Sequence, residues 1–326
     1  MLRKVPKSVI VLLYNWYKDT SICVQWGGCR SEFFSPQAGI RQGGILSPYL
    51  FNVYVDDMLK RVNALGCSFR GYIIGAIMYA DDIVLISNSV SQLQRMLTMC
   101  EKELNDIDLR INVNKSACLR MGPRFKEQCS TMAASIGPIG WVQDIKYLGI
   151  IIKSDIHFKN DLAIQENKKK FYRSANAIFS KLGKLNNNFI VASNLTASIA
   201  LPCLLYAMET LCLKKSQISS LEHCWKRAIG KLLSTFDEKI IKQSLYCVGL
   251  KSLLCSYSIR KMSFLTKMRD NDNRLLSIVS YHSFDKEIKD VMSFFDCNDK
   301  LIFENILKPL SYRIGLMIMF NFFNVC

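Results

Sequence analysis

The most distinctive hydrophobic pattern of this chain is a pair of apolar runs, residues 73–78 and 83–86, which flank Tyr79-Ala80-Asp81-Asp82. An unpaired buried carboxylate is costly, so two adjacent Asp residues conflict with the apolar runs around them. A tight turn resolves the conflict, because it carries both side chains to the end of a sheet. The pattern therefore predicts a β-hairpin over about residues 70–87.

Other patterns before residue 158 predict an α+β arrangement. Gly27-Gly28 between two strand-like runs indicates a hairpin with a primed turn. A helix is predicted from Pro48 to about Asn63, with Ser47 as N-cap and Pro48 at the first helical position. Strands near 111–121 and 147–152 are expected to complete a sheet with helices on one face. An amphipathic helix is predicted from apolar residues at helical spacing: Leu93, Met96, Leu97, Cys100 and Leu104.

After residue 158 the pattern becomes helical and more basic. One helix has an apolar stripe made of Phe171, Ala175, Ile178 and Leu182. Lys169 and Arg173 lie on another face of that helix. This face is either an ordinary solvated surface or a surface that contacts nucleic-acid phosphates, and the spacing alone leaves both readings open.

Composition narrows the class of protein. Half of the 326 residues are hydrophobic, enough for one sizeable core or two modest ones, and the net charge of +16 suits a polyanionic partner. Thirteen irregularly spaced Cys without a Cys-x-x-Cys pair argue against disulfides and zinc and for a reducing compartment. No signal peptide or transmembrane segment is predicted, so we expect an intracellular protein of the nucleus or cytoplasm without a membrane partner.

The carboxylate pair is the first candidate site. Asp81 and Asp82 at a hairpin turn can be neutralised by a divalent cation or by a strong hydrogen-bond donor. The alternative is a surface turn, since Asp is a common turn residue.

The second candidate site is the Gly-rich segment Gly39 to Tyr54. Its glycine backbone at Gly43 and Gly44 can approach a flat or anionic ligand, and Arg41 and Gln42 supply hydrogen-bond donors. Taken alone, the segment is equally well read as a loop before a helix.

Together the two segments resemble the palm of a reverse transcriptase, most closely that of non-LTR (LINE-type) retrotransposons. Two later segments resemble further motifs of that family: 112–116 (Asn-Val-Asn-Lys-Ser) and the primer-grip hairpin at 146–150 (Lys-Tyr-Leu-Gly-Ile). Segments 204–210 and 225–229 resemble the helical region that follows the palm.

The resemblance implies a split-βαβ palm followed by a mostly helical thumb and tail. It gives residues 1–157 as a partial palm, 158–240 as a helical thumb or connector, and 241–326 as a helical region of unknown role. The implied activity is RNA-directed DNA polymerase, with an RNA template, a DNA primer and deoxynucleoside triphosphates as partners.

The resemblance also assigns roles to residues. Asp81 is a ligand of the Mg²⁺ or Mn²⁺ ions and Asp82 a weaker or supporting one, while Lys115 donates a proton to the leaving pyrophosphate or neutralises it. The nucleotide and template base are contacted by Arg41, Gln42, Gly43, Gly44 and Tyr79. The primer end is positioned by Tyr147, Leu148 and Gly149. Spacing alone equally allows Lys115 to be a surface residue in a polar turn.

One family motif is not found in the sequence. Reverse transcriptases hold the metal ions with another Asp, from a strand motif of the Phe-x-Asp-x-x-x-Ala-Phe-Asp kind that precedes the Gly-rich segment. Asp19 is the only acidic residue before Glu32, and it lies in a helix-to-hairpin turn. The expectation is a polymerase fragment, without fingers and inactive alone. The alternative is a non-catalytic nucleic-acid-binding remnant of a retroelement.

Overall fold

The protein is described by a computed structural model over residues 5–36, 39, 43–69, 71–182, 189–273, 276, 286–291 and 293. Contacts divide it into an N-terminal unit, which extends to residue 111, and a C-terminal unit, residues 112–318. The division falls inside the segment predicted as palm. The predicted division into a palm (1–157), a thumb or connector (158–240) and a C-terminal region (241–326) therefore stays a prediction.

The N-terminal unit has three helices and three hairpins among its described residues. The elements are α1 (Lys7–Lys18), β1 (Gln25–Trp26), β2 (Cys29–Arg30), α2 (Ser47–Asn63), β3 (Cys67–Phe69), β4 (Tyr72–Ile74), β5 (Ala76–Tyr79), β6 (Asp82–Leu85) and α3 (Val90–Asn105). Gly27 and Gly28, with φ of 54° and 85°, form the primed turn predicted between β1 and β2.

A single hydrophobic core joins α2, α3 and β5. Its buried side chains are Phe51, Val55, Met58, Val62, Met78, Met96, Cys100 and Leu104. The predicted stripe of α3 supplies three of them, and Leu97 is also buried. The amphipathic helix predicted from the sequence is confirmed.

The apolar run 73–78, which we expected to be one strand, is interrupted at Gly75. β4 pairs with β3, whereas β5 pairs with β6. The Gly75 and Ala76 N–H groups donate to Asn63 Oδ1, at 2.6 and 3.1 Å. A Cβ on Gly75 would lie 2.7 Å from Gly66 Cα, so the close approach of the two backbones requires glycine there.

The prediction that Ser47 is the N-cap of α2 is wrong. The N-cap is Leu46, Ser47 is the first helical residue, and the Ser47 N–H donates to the Gly44 carbonyl at 3.2 Å. The helix is preceded by a turn with αR backbone at Leu46, so it begins one residue earlier than the serine signal indicated. Pro48 is consequently the second helical residue, where its missing N–H still costs no helical hydrogen bond.

The C-terminal unit begins with short strands and continues as helices. The strands are β7 (Cys118–Leu119), β8 (Met132–Ala134), β9 (Gly137–Ile139), β10 (Trp141–Val142), β11 (Asp144–Tyr147) and β12 (Ile150–Lys153). The helices are α4 (Asp161–Leu182), α5 (Phe189–Leu195), α6 (Leu201–Leu204), α7 (Lys215–Leu233), α8 (Glu238–Cys247) and α9 (Leu253–Arg269). Residues 196–200 form a short π-helix between α5 and α6, and residues 286–291 are helical.

The mixed helix and strand content confirms the α+β class. The single sheet expected from the sequence does not form among the described strands, which pair two at a time. Of the strand predicted near 111–121, only Cys118–Leu119 forms a strand, and it pairs in parallel with β10. Residues Val113–Lys115 form a 3₁₀ turn instead, because the Asn112 side chain accepts the Lys115 N–H and closes it.

The core of the C-terminal unit is helical. Phe171 of α4 and Trp225 of α7 are fully buried, with ring centroids 6.5 Å apart. The predicted α4 stripe is buried at Phe171, Ala175 and Ile178, and Leu182 packs at its edge. None of the described helices is long and apolar enough to cross a membrane.

Candidate functional site

The carboxylate pair lies at the end of the β5–β6 hairpin, as predicted. Tyr79 pairs with Asp82 in the last register position, which leaves Ala80 and Asp81 as a two-residue turn. Ala80 has a φ of 60°, a left-handed conformation that costs a non-glycine residue about 1 kcal/mol or more. Both Asp side chains are exposed, and Tyr79 is half-buried. The turn thus presents two neighbouring carboxylates to solvent.

The electrostatics of the pair favour a cation. Partial burial, and secondly the charge of Asp81, raise the pKa of Asp82. A divalent cation beside both groups would offset this repulsion, and carboxylate oxygens are the ligands that Mg²⁺ and Mn²⁺ prefer. No group of three or more His, Cys, Asp or Glu close enough to hold a metal occurs among the residues with described positions. The Asp81 and Asp82 carboxylates therefore fit a divalent cation, to which they would supply two protein ligands.

A second acidic pair, Asp56-Asp57, has an ordinary structural explanation. It lies within α2, where Lys60 Nζ is 2.7 Å from Asp56 Oδ2 and 3.6 Å from Asp57 Oδ1. These carboxylates thus share a lysine partner one turn along their own helix. Asp81 and Asp82 are the pair at which side-chain chemistry is expected.

Of the Gly-rich segment, Arg41 and Gln42 lie outside the described residues. Gly43 is exposed with a φ of 78°, and Gly44 is half-buried. Both precede α2, whose first buried apolar residue, Phe51, shares a hydrophobic cluster with Met78 of the carboxylate hairpin. The packing brings the first turns of α2 towards the hairpin. The proximity of Gly43 and Gly44 to Asp81 stays a prediction.

Lys115 belongs to the C-terminal unit. It is the last residue of the 3₁₀ turn, with its N–H held by Asn112 Oδ1 at 3.2 Å and its side chain exposed. The backbone is fixed and the ammonium group is in solvent. This geometry fits both readings of Lys115, so its catalytic role stays a prediction.

The predicted primer-grip segment forms a hairpin. β11 and β12 pair from Asp144↔Lys153 to Tyr147↔Ile150, leaving Leu148-Gly149 as the turn. Both turn residues have positive φ, 46° and 81°, which is the conformation of a type I′ turn. The hairpin is thus confirmed, while contact with a primer stays a prediction.

Two residues of this region were missed by sequence reasoning. Tyr206 Oη donates to the Leu148 carbonyl at 2.9 Å. Asn167, buried in α4, donates from Nδ2 to the Tyr206 carbonyl at 2.8 Å. Asn167 lies on the apolar stripe of α4, one turn before Phe171. Because a buried polar side chain needs a hydrogen-bond partner, this pattern could have indicated that Asn167 makes such a bond.

The basic face of α4 is solvent-exposed. Lys169 and Arg173 are both exposed, and neither has an ion pair within the described part of the chain. Their neighbours are engaged: Lys168 Nζ donates to Ser220 Oγ at 2.5 Å, and Lys170 Nζ lies 5.8 Å from the Tyr206 ring centroid. The structure keeps two unpaired cations on one face, and nucleic-acid contact by them stays a prediction.

Comparisons with known proteins agree with the resemblance. Residues 3–152 match the family model for reverse transcriptase (RNA-dependent DNA polymerase). The chain is 29% identical over 154 residues to the Retrovirus-related Pol polyprotein from type-2 retrotransposable element R2DM of Drosophila melanogaster, covering 44% of the chain and 15% of that protein. It is 25% identical over 215 residues to the RNA-directed DNA polymerase from mobile element jockey of the same species, covering 64% and 23%.

A Retrovirus-related Pol polyprotein from retrotransposable element R2 of Nasonia vitripennis is 27% identical over 162 residues, covering 47% of the chain and 16% of that protein. The chain thus spans less than a quarter of the length of these three relatives. The similarity confirms the resemblance to non-LTR retrotransposon reverse transcriptases.

Proposed function

We propose that this chain, whose residues 3–152 match the family model for reverse transcriptase, contributes the carboxylate hairpin and a nucleic-acid-binding surface to an RNA-directed DNA polymerase. The substrates would be an RNA template, a DNA primer and deoxynucleoside triphosphates. The observation that carries the proposal is the exposed Asp81-Asp82 pair at a hairpin end inside the matched residues. A pair of carboxylates placed this way can serve a two-metal nucleotidyl transfer.

In this function each group has one task. Asp81 and Asp82 hold Mg²⁺ or Mn²⁺, which when bound neutralises triphosphate charge and lowers the pKa of the primer hydroxyl. Lys115 supplies positive charge, or a proton, to the departing pyrophosphate. The Gly43-Gly44 backbone and the Tyr79 ring, together with Arg41 and Gln42, contact the nucleotide and template base. The primer end is contacted by Tyr147, Leu148 and Gly149. The phosphate backbone of the duplex is contacted by Lys169 and Arg173.

A non-catalytic role in nucleic-acid binding is the second candidate. It is favoured by the two-carboxylate donor set, since the described residues provide no third metal ligand near the pair and residues 1–326 contain no Phe-x-Asp-x-x-x-Ala-Phe-Asp motif. Losing one carboxylate of a coupled two-metal site should slow transfer by about a hundredfold or more. Such a chain would bind duplex without copying it.

Primer extension separates the two functions. Residues 1–326 are assayed with Mg²⁺, deoxynucleotides and a DNA primer on an RNA template, alone and fused to a segment that carries the missing Asp strand motif. We expect negligible extension alone and measurable extension by the fusion. In the fusion, Asp81→Ala should lower the rate by about a hundredfold or more, and the matched control Asp57→Asn should leave it unchanged.

Robust extension by residues 1–326 alone would contradict the view that the metal site is short of a ligand. No extension by the fusion, together with salt-dependent duplex binding, would favour the non-catalytic function.

Nucleic-acid binding tests the face of α4 that carries Lys169 and Arg173, which both functions would use. Affinity for an RNA–DNA duplex should fall steeply with salt, because neutralised phosphates release counterions. The Lys169→Ala and Arg173→Ala double variant should reduce the salt slope by roughly one for each lost contact. The control is Lys60→Ala with Arg61→Ala, two α2 cations that already have carboxylate partners. An unchanged slope in the first variant would remove this face of α4 from the contact surface.

A further inference from the structure

We infer that Tyr206 is a positioning residue for the β11–β12 hairpin, holding the Leu148-Gly149 turn against α4 so that the turn and Lys170 contact the primer terminus together. The inference rests on the proposed function, in which this hairpin meets the primer end. It gives roles to Tyr206 and Lys170, to which the sequence analysis assigned none.

Tyr206 contacts both residues of the turn. Its hydroxyl donates to the Leu148 carbonyl at 2.9 Å. Its ring occupies the space where a side chain at Gly149 would project, since a Cβ there would lie 2.9 Å from the ring edge. The hairpin ladder already pairs four residues on each strand without Tyr206. The contact therefore acts on where the tip points rather than on whether the hairpin forms.

The tyrosine is itself tied to α4. Asn167, 2% exposed, donates from Nδ2 to the Tyr206 carbonyl at 2.8 Å and approaches the Leu204 carbonyl at 3.4 Å. The following residue, Ala207, has a φ of 56°, which turns the chain sharply into a 3₁₀ segment. A buried amide that satisfies two carbonyls fixes the base of the side chain. The turn of the hairpin is thus linked to α4 through Tyr206.

The side chain of Lys170 places a positive charge beside the Tyr206 ring. Its Nζ lies 5.8 Å from the Tyr206 ring centroid, within cation–π distance. Lys170 is adjacent to Lys169 and three residues from Arg173, the two cations predicted to contact phosphates. No ion pair to Lys170 occurs where the structure describes the chain. Tyr206 is 46% exposed, Leu148 is exposed and Lys170 is half-buried, so all three residues are accessible to solvent.

An end-preference assay tests the inference. The full chain is titrated with an RNA–DNA duplex that has a recessed DNA 3′ end, and with a closed dumbbell of the same duplex without ends. The ratio of the two affinities measures recognition of the primer terminus and is insensitive to how much protein is folded. Tyr206→Phe, which removes only the hydroxyl, should reduce this ratio by about three- to tenfold, the effect of one lost hydrogen bond.

The matched control is Tyr246→Phe, a hydroxyl deletion at a residue that is 86% exposed, which should leave the ratio unchanged. Lys170→Met should lower affinity for the recessed end more than for the dumbbell. Hydrogen exchange at residues 147–150 should accelerate in Tyr206→Phe, showing that the tip is released.

Three outcomes would overturn the inference in distinguishable ways. An unchanged ratio in Tyr206→Phe, with faster exchange at the tip, makes the contact purely structural. Equal wild-type affinities for the two ligands remove the primer terminus as its target. No salt-dependent binding to either ligand refutes the proposed function along with the inference.

Discussion

Two hairpins of the chain have the same pairing and turn length but differ in the residues that form their turns. β5–β6 and β11–β12 each pair four residues per strand and close with two-residue turns. In Ala80-Asp81 only the first turn residue has positive φ, whereas in Leu148-Gly149 both do. The first turn carries side-chain chemistry, two exposed carboxylates, and the second carries a glycine covered by Tyr206.

The difference shows how a hairpin turn can serve a site through side chains or through backbone. At Ala80-Asp81 a residue other than glycine adopts a left-handed conformation, so conformational energy is stored beside the carboxylates, as often happens at functional sites. At Leu148-Gly149 the first residue is likewise a residue other than glycine with positive φ, but the second is a glycine, and the Tyr206 ring lies where its side chain would project. Replacing Ala80 by glycine and Gly149 by alanine should therefore change the stability of the protein in opposite directions.

The largest effect is expected for Gly149→Ala. The new Cβ meets both an unfavourable φ of 81° and the Tyr206 ring at 2.9 Å. We expect the free energy of unfolding to fall by about 2–3 kcal/mol. Urea denaturation followed by tryptophan fluorescence measures it, since Trp225 is buried in the core of the same unit.

Gly249→Ala is the matched control. Gly249 has a similar φ of 71° but nothing within 4 Å of its added Cβ, so only the backbone cost of about 1 kcal/mol should appear. Equal losses in the two variants would mean that the Tyr206 ring yields freely, which would weaken its positioning role.

The same comparison shows what the sequence could predict. The carboxylate hairpin followed from two apolar runs around Asp81-Asp82, and α3 from the spacing of Met96, Cys100 and Leu104, because such local periodicities are sufficient to define a strand pair or an amphipathic helix. The position of the turn followed from the cost of burying two charges.

Contacts distant in sequence could not be predicted in this way. Tyr206 meets Leu148 across 58 residues, and Asn63 interrupts the apolar run at Gly75 by accepting two backbone N–H groups. Neither contact has a local pattern, since each depends on tertiary packing. The error at Ser47 has a different, local cause: the turn from Gly44 to Ser47, with αR backbone at Leu46, starts α2 one residue before the position that the serine signal indicated.

A smaller effect of opposite sign is expected for Ala80→Gly. Glycine adopts a φ of 60° without strain, so this variant should be more stable by about 1 kcal/mol, after allowing for the greater entropy of its unfolded chain. Ala76→Gly in the same hairpin is the control. Ala76 is absent from the positive-φ residues, so glycine there should destabilise by about 0.5–1 kcal/mol. Destabilisation by Ala80→Gly would show that the turn holds no conformational strain.

The smallest effect, and the one that bears most directly on the metal site, is expected for Asp82→Asn. Burial and the charge of Asp81 raise the pKa of Asp82 in the folded chain. The contribution of this group to stability is therefore complete below its unfolded-state pKa and is lost as the pH rises through its folded-state pKa. Wild type and Asp82→Asn should be equally stable in acid. Near neutral pH the variant should be the more stable, by less than about 0.5 kcal/mol, because the side chain is largely in solvent.

Magnesium should reverse that difference. A divalent ion bound by Asp81 and Asp82 stabilises the wild type in proportion to its occupancy, and Asp82→Asn loses that ligand. Thermal unfolding from pH 4 to pH 7, with and without Mg²⁺, measures both effects. Asp57→Asn should show neither, since the Asp57 carboxylate is beside Lys60. A wild type more stable than Asp82→Asn at neutral pH without metal would mean that the carboxylates do not repel each other, and an unchanged difference in Mg²⁺ would remove the ion from this turn.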